Sequence, residues 1–580
     1  MKREANLGSQ AAAAIKMRLV GLTAAAWLAR LTRPASTLTL RLASLGARRN
    51  ERLIIAPRDI RTADPIAAED IYAGYFALAG RAVNVHGASP FETPAPSRAW
   101  AEALHGFGWL RHLRAADTAL SRANARALVE DWLNVDARSG AFDRSIAHDP
   151  RVASRRLLSW LSHSPMILEN ADRVFYRRFA RAIAAHAPPL ERALAGRLKG
   201  GPRLEAAIAL TQIALSLENA SPLLRRATRS LSNELDRQVL PDGGHIGRNP
   251  QTLVDLLLDL LPTRQAFAAR SIAPPDQLLN AIDRMTPMLR LFRHGDGALA
   301  NFNGMGVGEP ETLATLLAYG DAGAAAAMDA PYSGYQRLDA GGSVAIVDVG
   351  RPPPWEFSTE CHAGCLSFEF SAGLQRIIVN CGAPSGDLPE ARLAARATAA
   401  HSTLTVDDHS SCRFAAPRGL EAVASGAVLQ GPAEVRASRG EDQSALRLDA
   451  SHDGYARAYG LLHERALLLA PDGAVLWGED RLVPAGKKKP APGTPVALRF
   501  HLHPDVKPAL DDDARGASLV LPTGEIWRLE AEGREIAIEE SIFFSAPGRP
   551  RRTAQLTIRG VLADSARLPW SLARYAPATA

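Results

Sequence analysis

The chain has 580 residues, 47% of them hydrophobic and 22% charged, with 45 Gly and 39 Pro. That composition excludes a disordered, collagen-like or coiled-coil protein, the length favours two or more domains, and four cysteines are too few for a disulfide framework. The formal charge of +7 sits at the start: residues 1–52 carry ten Lys and Arg against Glu4 and Glu51, a net of +8 that leaves the remaining chain at −1. A near-neutral body gives no reason to expect a nucleic-acid partner.

In the amino-terminal segment, Lys16 and Arg18 precede an apolar run, Leu19 to Ala29, which Arg30 closes. A basic start followed by a short apolar run has the outline of an export signal. The missing small-x-small cleavage site, and the basic pattern continued by Arg33 and Arg41, fit equally a basic amphipathic helix lying on a membrane surface or on the body. No apolar run is long enough to cross a bilayer.

From about Asp59 to Tyr319 apolar residues recur at helical spacing. Ser97 caps an expected helix through Trp100, Leu104, Trp109 and Leu113. Further helices are expected at Leu120–Leu133, Val152–Leu161, Val174–Leu194, Leu204–Leu217, Leu223–Leu240, Thr252–Leu261 and Pro275–Phe292. Many amphipathic helices with short links point to helical hairpins in a solenoid or toroid.

After about Tyr332 the period changes to short runs, most of them rich in Val, Ile, Leu or Phe, such as Ser343–Val349, Leu366–Phe370, Arg376–Asn380 and Val496–His503. Leu461–Leu469 and Ala474–Leu482 flank Pro471-Asp472-Gly473, a hairpin signal. Strand after strand without helices points to a β-sandwich. The expected organisation is a basic segment over residues 1–55, a helical domain over 56–330 and a strand domain over 331–580.

Several stretches in this order resemble the heparinase II/III family of polysaccharide lyases. They are Leu104-His105-Gly106-Phe107-Gly108-Trp109-Leu110, Asp242-Gly243-Gly244-His245 with Arg248-Asn249-Pro250, and Phe302-Asn303-Gly304-Met305. His362-Ala363-Gly364, Leu366-Ser367-Phe368-Glu369-Phe370, Ala400-His401-Ser402-Thr403-Leu404-Thr405-Val406 and Gly478-Glu479-Asp480 follow. The resemblance implies an α+β multidomain fold, an incomplete α/α toroid followed by an antiparallel β-sandwich. It implies an acidic, uronate-containing polysaccharide in the cleft between them and β-elimination as the reaction, in the cell envelope or periplasm; a cytoplasmic setting is the alternative. Elimination requires a neutralised carboxylate, a base for the C5 proton and an acid for the departing O4.

The chain departs from that pattern where the chemistry is implied. Thr252 stands where lyases of the family carry a Tyr, and Pro202-Arg203-Leu204-Glu205 where an Asn-His pair is expected. Glu360-Cys361-His362 replaces a His-x-His pattern, and Asn380 a metal-binding Asp. The alternative to a lyase is therefore a catalytically altered glycan-binding or cell-envelope protein on the same fold, and a third reading is a hydrolase using Asp242 and Glu309.

The catalytic candidates are His401, Arg248, His245 and Tyr459. His401 is read as a cleft residue or metal ligand, against a hydrogen-bonded structural His. Arg248 pairs with a uronate carboxylate or ties down its turn, and His245 shuttles a proton. Tyr459 supplies the phenol lost at position 252. The candidates for substrate binding are Asn249, Asn303, His105 and Trp109, with helix capping, an Asn-Gly turn and a helix packing seam as the plainer roles. No cofactor is required, and His362 with His401 is the candidate pair for a structural zinc.

Overall fold

The computed structural model describes residues 15–21, 23–24, 52–138, 143–319, 325–386, 388–441, 445–486 and 488–575. Between Ile66 and Tyr319 the chain is mainly helical, and several of the long helices begin where the sequence supplies a cap. Ser97 accepts from the Trp100 amide ahead of Arg98–Gly106, and Asp172 from the Phe175 amide ahead of Arg173–Arg192. Asp149 and Asn249 cap Pro150–Ser162 and Pro250–Ala269, both with proline at the start of the helix. Thr118 and Ser121 form a reciprocal capping box on Ala119–Ala137.

In the helix Pro202–Ser216, Leu204 and every residue from Ala206 to Ser216 are buried. A helix with no face for water belongs at the centre of its domain. It packs against Pro150–Ser162, Ser221–Gln238 and Pro250–Ala269.

The helical half differs from its periodicity in two places. The expected helix from Ser97 through Leu113 is two helices, Arg98–Gly106 and Leu110–Ala116, broken where Phe107 adopts a left-handed φ of 58°. Packing of the buried Phe107 ring against Phe91, Trp109, Trp132 and Trp160 holds it there, outweighing roughly 1–2 kcal/mol of backbone strain. The second difference is a hairpin, Tyr75–Leu78 with Arg81–Asn84, which has no counterpart among the expected elements.

The strand half is built on two large antiparallel sheets, with a small antiparallel pair, Arg413–Phe414 and Val428–Gln430, beside them. One runs in the order Val435–Glu441, Leu446–His452, Leu461–Leu469, Val475–Pro484, Arg567–Tyr575, Ile526–Ala531, Gly516–Val520 and Lys507–Leu510. The other runs Ile536–Phe543, Arg551–Val561, Pro495–Leu502, Gln375–Val379, Phe368–Ala372, Ser343–Asp348, Tyr335–Ala340 and Asp329–Ala330, with Leu404–Val406 also pairing Pro495–Leu502. Leu461–Leu469 alternates buried and half-buried residues along its whole length, as a sheet with one dry face requires.

Ser343–Asp348 is different, for all six of its residues are buried. Val344 and Ile346 join the core of the helical domain, whereas Ala345 and Val347 join the core between the two sheets. The second sheet is thus the middle of three layers, helices on one face and the first sheet on the other.

Of the basic amino-terminal segment, the described residues form a helical stretch. Its Leu19 clusters with Ala415, Ala424, Ala427 and Leu429, and its Arg18 guanidinium lies 4.9 Å from the centre of the Trp355 ring. The remainder of residues 1–51, and most of the export-signal reading with it, lies outside the described residues. Among the described residues no helix is long and apolar enough to cross a membrane.

Candidate functional site

Two adjoining cavities, of about 390 and 380 Å³, share Arg61, Arg111 and Leu258 in their walls. The inner one lies in the helical domain, while the outer one reaches the strand domain at Arg376, Ser545 and Pro547. Both volumes fall in the range of small-molecule sites.

Arginines and carboxylates share the polar lining, Arg58, Arg61, Arg111 and Arg155 with Asp59, Glu102 and Asp259 in the inner cavity, and Arg61, Arg111 and Arg376 with Asp255, Asp296 and Glu309 in the outer one. Arg61 donates to Asp259 Oδ1 at 2.7 Å, and Arg155 grips both oxygens of the same carboxylate. Burial opposes ionisation of Asp259, but the two guanidiniums win and hold its carboxyl below the usual range. With Asp59 3.6 Å from Arg61 and Glu205 4.0 Å from Arg155, further carboxylates flank each guanidinium. Arg111 adds a third guanidinium, donating from Nη1 to the Gly108 carbonyl at 3.1 Å while its buried Nε–H has no partner among the described residues. Beside it, His112 Nδ1 accepts from the Asp64 amide at 3.0 Å, which places the ring proton on Nε2. Burial, with Arg111 adding to it, keeps that imidazole neutral at pH 7.

Three carboxylates, Asp255, Asp296 and Glu309, line the outer cavity, and Asp255 and Glu309 are in opposite electrostatic states. Asp255 lies one helical turn before Asp259, accepts from Gln251 Nε2 at 3.0 Å and is open to the cleft. The surrounding protein displaces enough water to push its carboxyl up to about 6. Glu309 is also partly desolvated, yet the Thr62 and Thr312 hydroxyls donate to its Oε2 at 2.6 and 2.8 Å and hold it below the usual carboxylate range.

The residues singled out in the sequence lie largely elsewhere. Arg248 donates to the carbonyls of Ser333, Gly334, Gly350 and Arg351 and to Asp348 Oδ1, so its guanidinium is a buried tie between the two halves. Asn303 joins this hub, giving its amide hydrogens to Tyr335 and Asp348 and accepting from the His362 amide. His245 Nδ1 accepts from the Gly247 amide and Nε2 meets Gln238, and burial holds the ring at about 4, hence neutral. Asn249 caps its helix and donates to Glu360 Oε2 at 2.8 Å.

His105 is a buried acceptor for the Trp132 indole, and the break at Phe107 places it on a different helix from His112. Trp109 does line the inner cavity. Tyr459 bonds to Asp407 and His409 on the strand domain, and burial, reinforced by the Asp407 carboxylate, pushes its phenol up to about 12. Asp242 accepts from the Tyr332 and Ser333 amides at 2.8 and 2.7 Å and so fastens the Asp-Gly-Gly turn to the strand domain. Gly243 in that turn has a φ of +87°, and a Cβ there would lie 2.0 Å from the Arg284 carbonyl oxygen.

His362 Nδ1 and His401 Nε2 are 3.0 Å apart, and His401 Nδ1 bonds to the Ala397 carbonyl. His401 therefore accepts the His362 proton, and the facing nitrogens satisfy each other rather than a cation. Among the described residues no group of three or more His, Cys, Asp or Glu is placed to hold a metal. This pair does not fit zinc, which needs three or four such ligands. None of His401, His362, Arg248 and His245 lines either cavity.

Arg61, Arg111, Arg155 and Asp255 were not among the sequence candidates, because they converge only in the fold. One signal was present. Gln251, Asp255 and Asp259 recur every fourth residue among the leucines of the helix Pro250–Ala269, a polar stripe along one face.

Residues 322–571 match the family model described as heparinase II/III-like, C-terminal. Across 91% of its length the chain is 34% identical to FtsZ-localized protein C of Caulobacter vibrioides, of which the match also covers 91%. The chain belongs to the heparinase II/III-like family. Its fold is shared with a mutant form of the heparan sulfate lyase of Pedobacter heparinus at a TM-score of 0.61, with 13% identity over 94% of this chain and 89% of that one. A structure of heparinase III gives a TM-score of 0.63 at 13% identity over 83% of this chain and 78% of that one. At such identities the likeness extends to architecture, and this member's cleft is read from its own residues.

Proposed function

We propose that this heparinase II/III-like protein holds an acidic, uronate-containing polysaccharide in the cleft. The observation that carries the reading is the convergence of four arginines, Arg58, Arg61, Arg111 and Arg155, on a cavity wall that holds three carboxylates, Asp59, Glu102 and Asp259. A planar guanidinium pairs with a uronate carboxylate through two parallel hydrogen bonds, and Arg111 stands in the walls of both cavities. The test is calorimetric titration against heparan sulfate, alginate, hyaluronan and polygalacturonate. At least one polymer is expected to bind, with affinity falling as salt rises, and Arg111→Ala should weaken binding at least tenfold. Failure of all four to bind folded protein would sink the proposal.

A second reading keeps elimination, and Asp255 is the observation that favours it. A carboxylate that titrates near 6 and is open to the cavity suits a general base at neutral pH, and Arg61 on the same wall suits the uronate carboxylate. Ultraviolet-absorbing, unsaturated product that forms with the wild type and not with Asp255→Asn would support it. Binding without such product would leave the glycan-binding role. The Caulobacter relative is named for its localisation with FtsZ, and we carry over a cell-division setting as part of the proposal. A fluorescent fusion absent from division sites would count against that part alone.

A further inference from the structure

The first sheet turns one face toward the second, where Trp570 packs on Phe368 and Phe500. Its other face, away from the helices, carries a hollow of about 550 Å³. Strand register sets the walls of that hollow. Trp477 pairs with Leu468 on one neighbouring strand and with Ser571 on the other, and Ser571 pairs in turn with Glu530. Side chains paired in this way begin about 5 Å apart on one face of a sheet. Leu476 and Gly478, on either side of Trp477 in sequence, are buried on the inner face, so the indole points outward. It is 45% exposed, and no other tryptophan is exposed among the described residues. Beside it, Ser571 and Pro569 are compact and half-buried. The indole thus rises as an accessible wall over a low floor.

The charged groups around the hollow are matched to one another. Arg567 and Arg481 both bond to Glu479, and Arg528 meets Asp511 and Glu530 at 2.7 and 3.0 Å. With Asp513, Glu532 and Arg515 also in the lining, five carboxylates stand against four guanidiniums. That near balance offers no net attraction to an acidic polymer. The ligand that fits is uncharged, with one apolar face and a polar edge. A pyranose ring has both: C–H groups to lie on an indole, and hydroxyls that donate to a carboxylate or a serine oxygen. A second hollow, of about 330 Å³, shares Glu479 with the first, so the trough continues beyond a single ring.

We propose that the outer face of the first sheet is a binding site for a neutral glycan, with one sugar unit stacked on Trp477 and its hydroxyls directed to Ser571 and Glu530. The proposal is independent of the acidic-glycan reading, because the cleft lies on the helical side of the middle sheet.

The test is titration of the full chain with cello-, chito-, malto- and laminari-hexaose, followed by tryptophan fluorescence and calorimetry. At least one hexaose is expected to bind saturably and shift the emission to shorter wavelength. Trp477→Ala should lower its affinity at least fivefold. Ser571→Leu, which fills the floor and keeps the indole, should do the same, and unchanged melting temperatures would show both variants folded. No binding of any hexaose at millimolar concentration would overturn the proposal. Binding equal in the wild type and both variants would also overturn it, by placing the sugar elsewhere. Saturable binding of tetramethylammonium in place of the sugars would reassign the hollow to a cation on the indole and refute the neutral ligand.

Discussion

Replacing Asp348 by Ala tests whether the Arg248 hub holds the two halves of the molecule together. The Asp348 carboxylate accepts from Arg248, from the Asn303 side chain at 3.1 Å and from the Gly350 amide at 3.0 Å. Removing it leaves a buried guanidinium without its counterion and two further donors without an acceptor. Breaking a buried pair by deleting one partner costs about 3–5 kcal/mol. Four carbonyls still receive Arg248, which places the loss near the lower end, about 3 kcal/mol. At about 2–4 °C per kcal/mol for a domain of this size, Tm should fall by about 10 °C. Urea unfolding followed by tryptophan fluorescence measures the loss, with Arg248→Met combined with Asp348→Leu as the control. The double variant removes the orphaned charge with its cause and should recover at least about 1 kcal/mol relative to Asp348→Ala. A single-variant loss under about 1 kcal/mol, or a double variant worse than the single, would refute the assignment of Arg248 to a structural tie.

Asp255 gives a pH prediction for binding. Its carboxyl titrates near 6, so it is charged at pH 7.5 and neutral at pH 5, and an acidic glycan should bind more tightly as pH falls through that window; Asp255→Asn should flatten the profile. A second carboxylate, Asp480, is buried with Arg465, His463 and the Trp570 indole, and against the cost of burial these partners depress it to about 2. A depressed folded-state value means its stabilisation is complete above the unfolded value, about 3.9, and is lost as pH falls toward 2. Asp480→Asn should therefore lower stability at pH 7 and flatten the acid-unfolding profile, which circular dichroism across pH 2–5 would show. Gly478→Ala would bring a Cβ to 2.0 Å from the Trp570 ring, and a loss of about 1–3 kcal/mol in chemical unfolding is expected.

The fold was largely legible because its punctuation is local. Ser97, Asp149, Asp172 and Asn249 mark helix starts by their own side chains, and Pro471-Asp472-Gly473 marks a turn. The break at Phe107 was not legible, since helical spacing of apolar residues continues across it and only the tertiary aromatic cluster pulls the backbone out of line. Arg567–Tyr575 was missed because its apolar residues alternate with Arg, Pro and Ser, and what secures it is pairing with two neighbouring strands. The site was harder for the same reason. Arg248, Asn303, His362 and His401 stand out as a motif, yet the fold uses them to join its halves, whereas Arg61, Arg111, Arg155 and Gln212 line one cavity only once four separate segments have packed.

The strand Ser343–Asp348 belongs to two interiors at once, with alternate side chains entering each. A strand domain produced by itself would carry Val344 and Ile346 on an uncovered greasy strip, and Tyr335 on the adjoining strand would widen it. A truncated product is therefore expected to clump rather than stay in solution. Swapping halves between relatives would also fail unless this strand travelled with the helices that cover it. The molecule has two architectures but one heritable unit, and the partition between them runs through the thickness of a single strand.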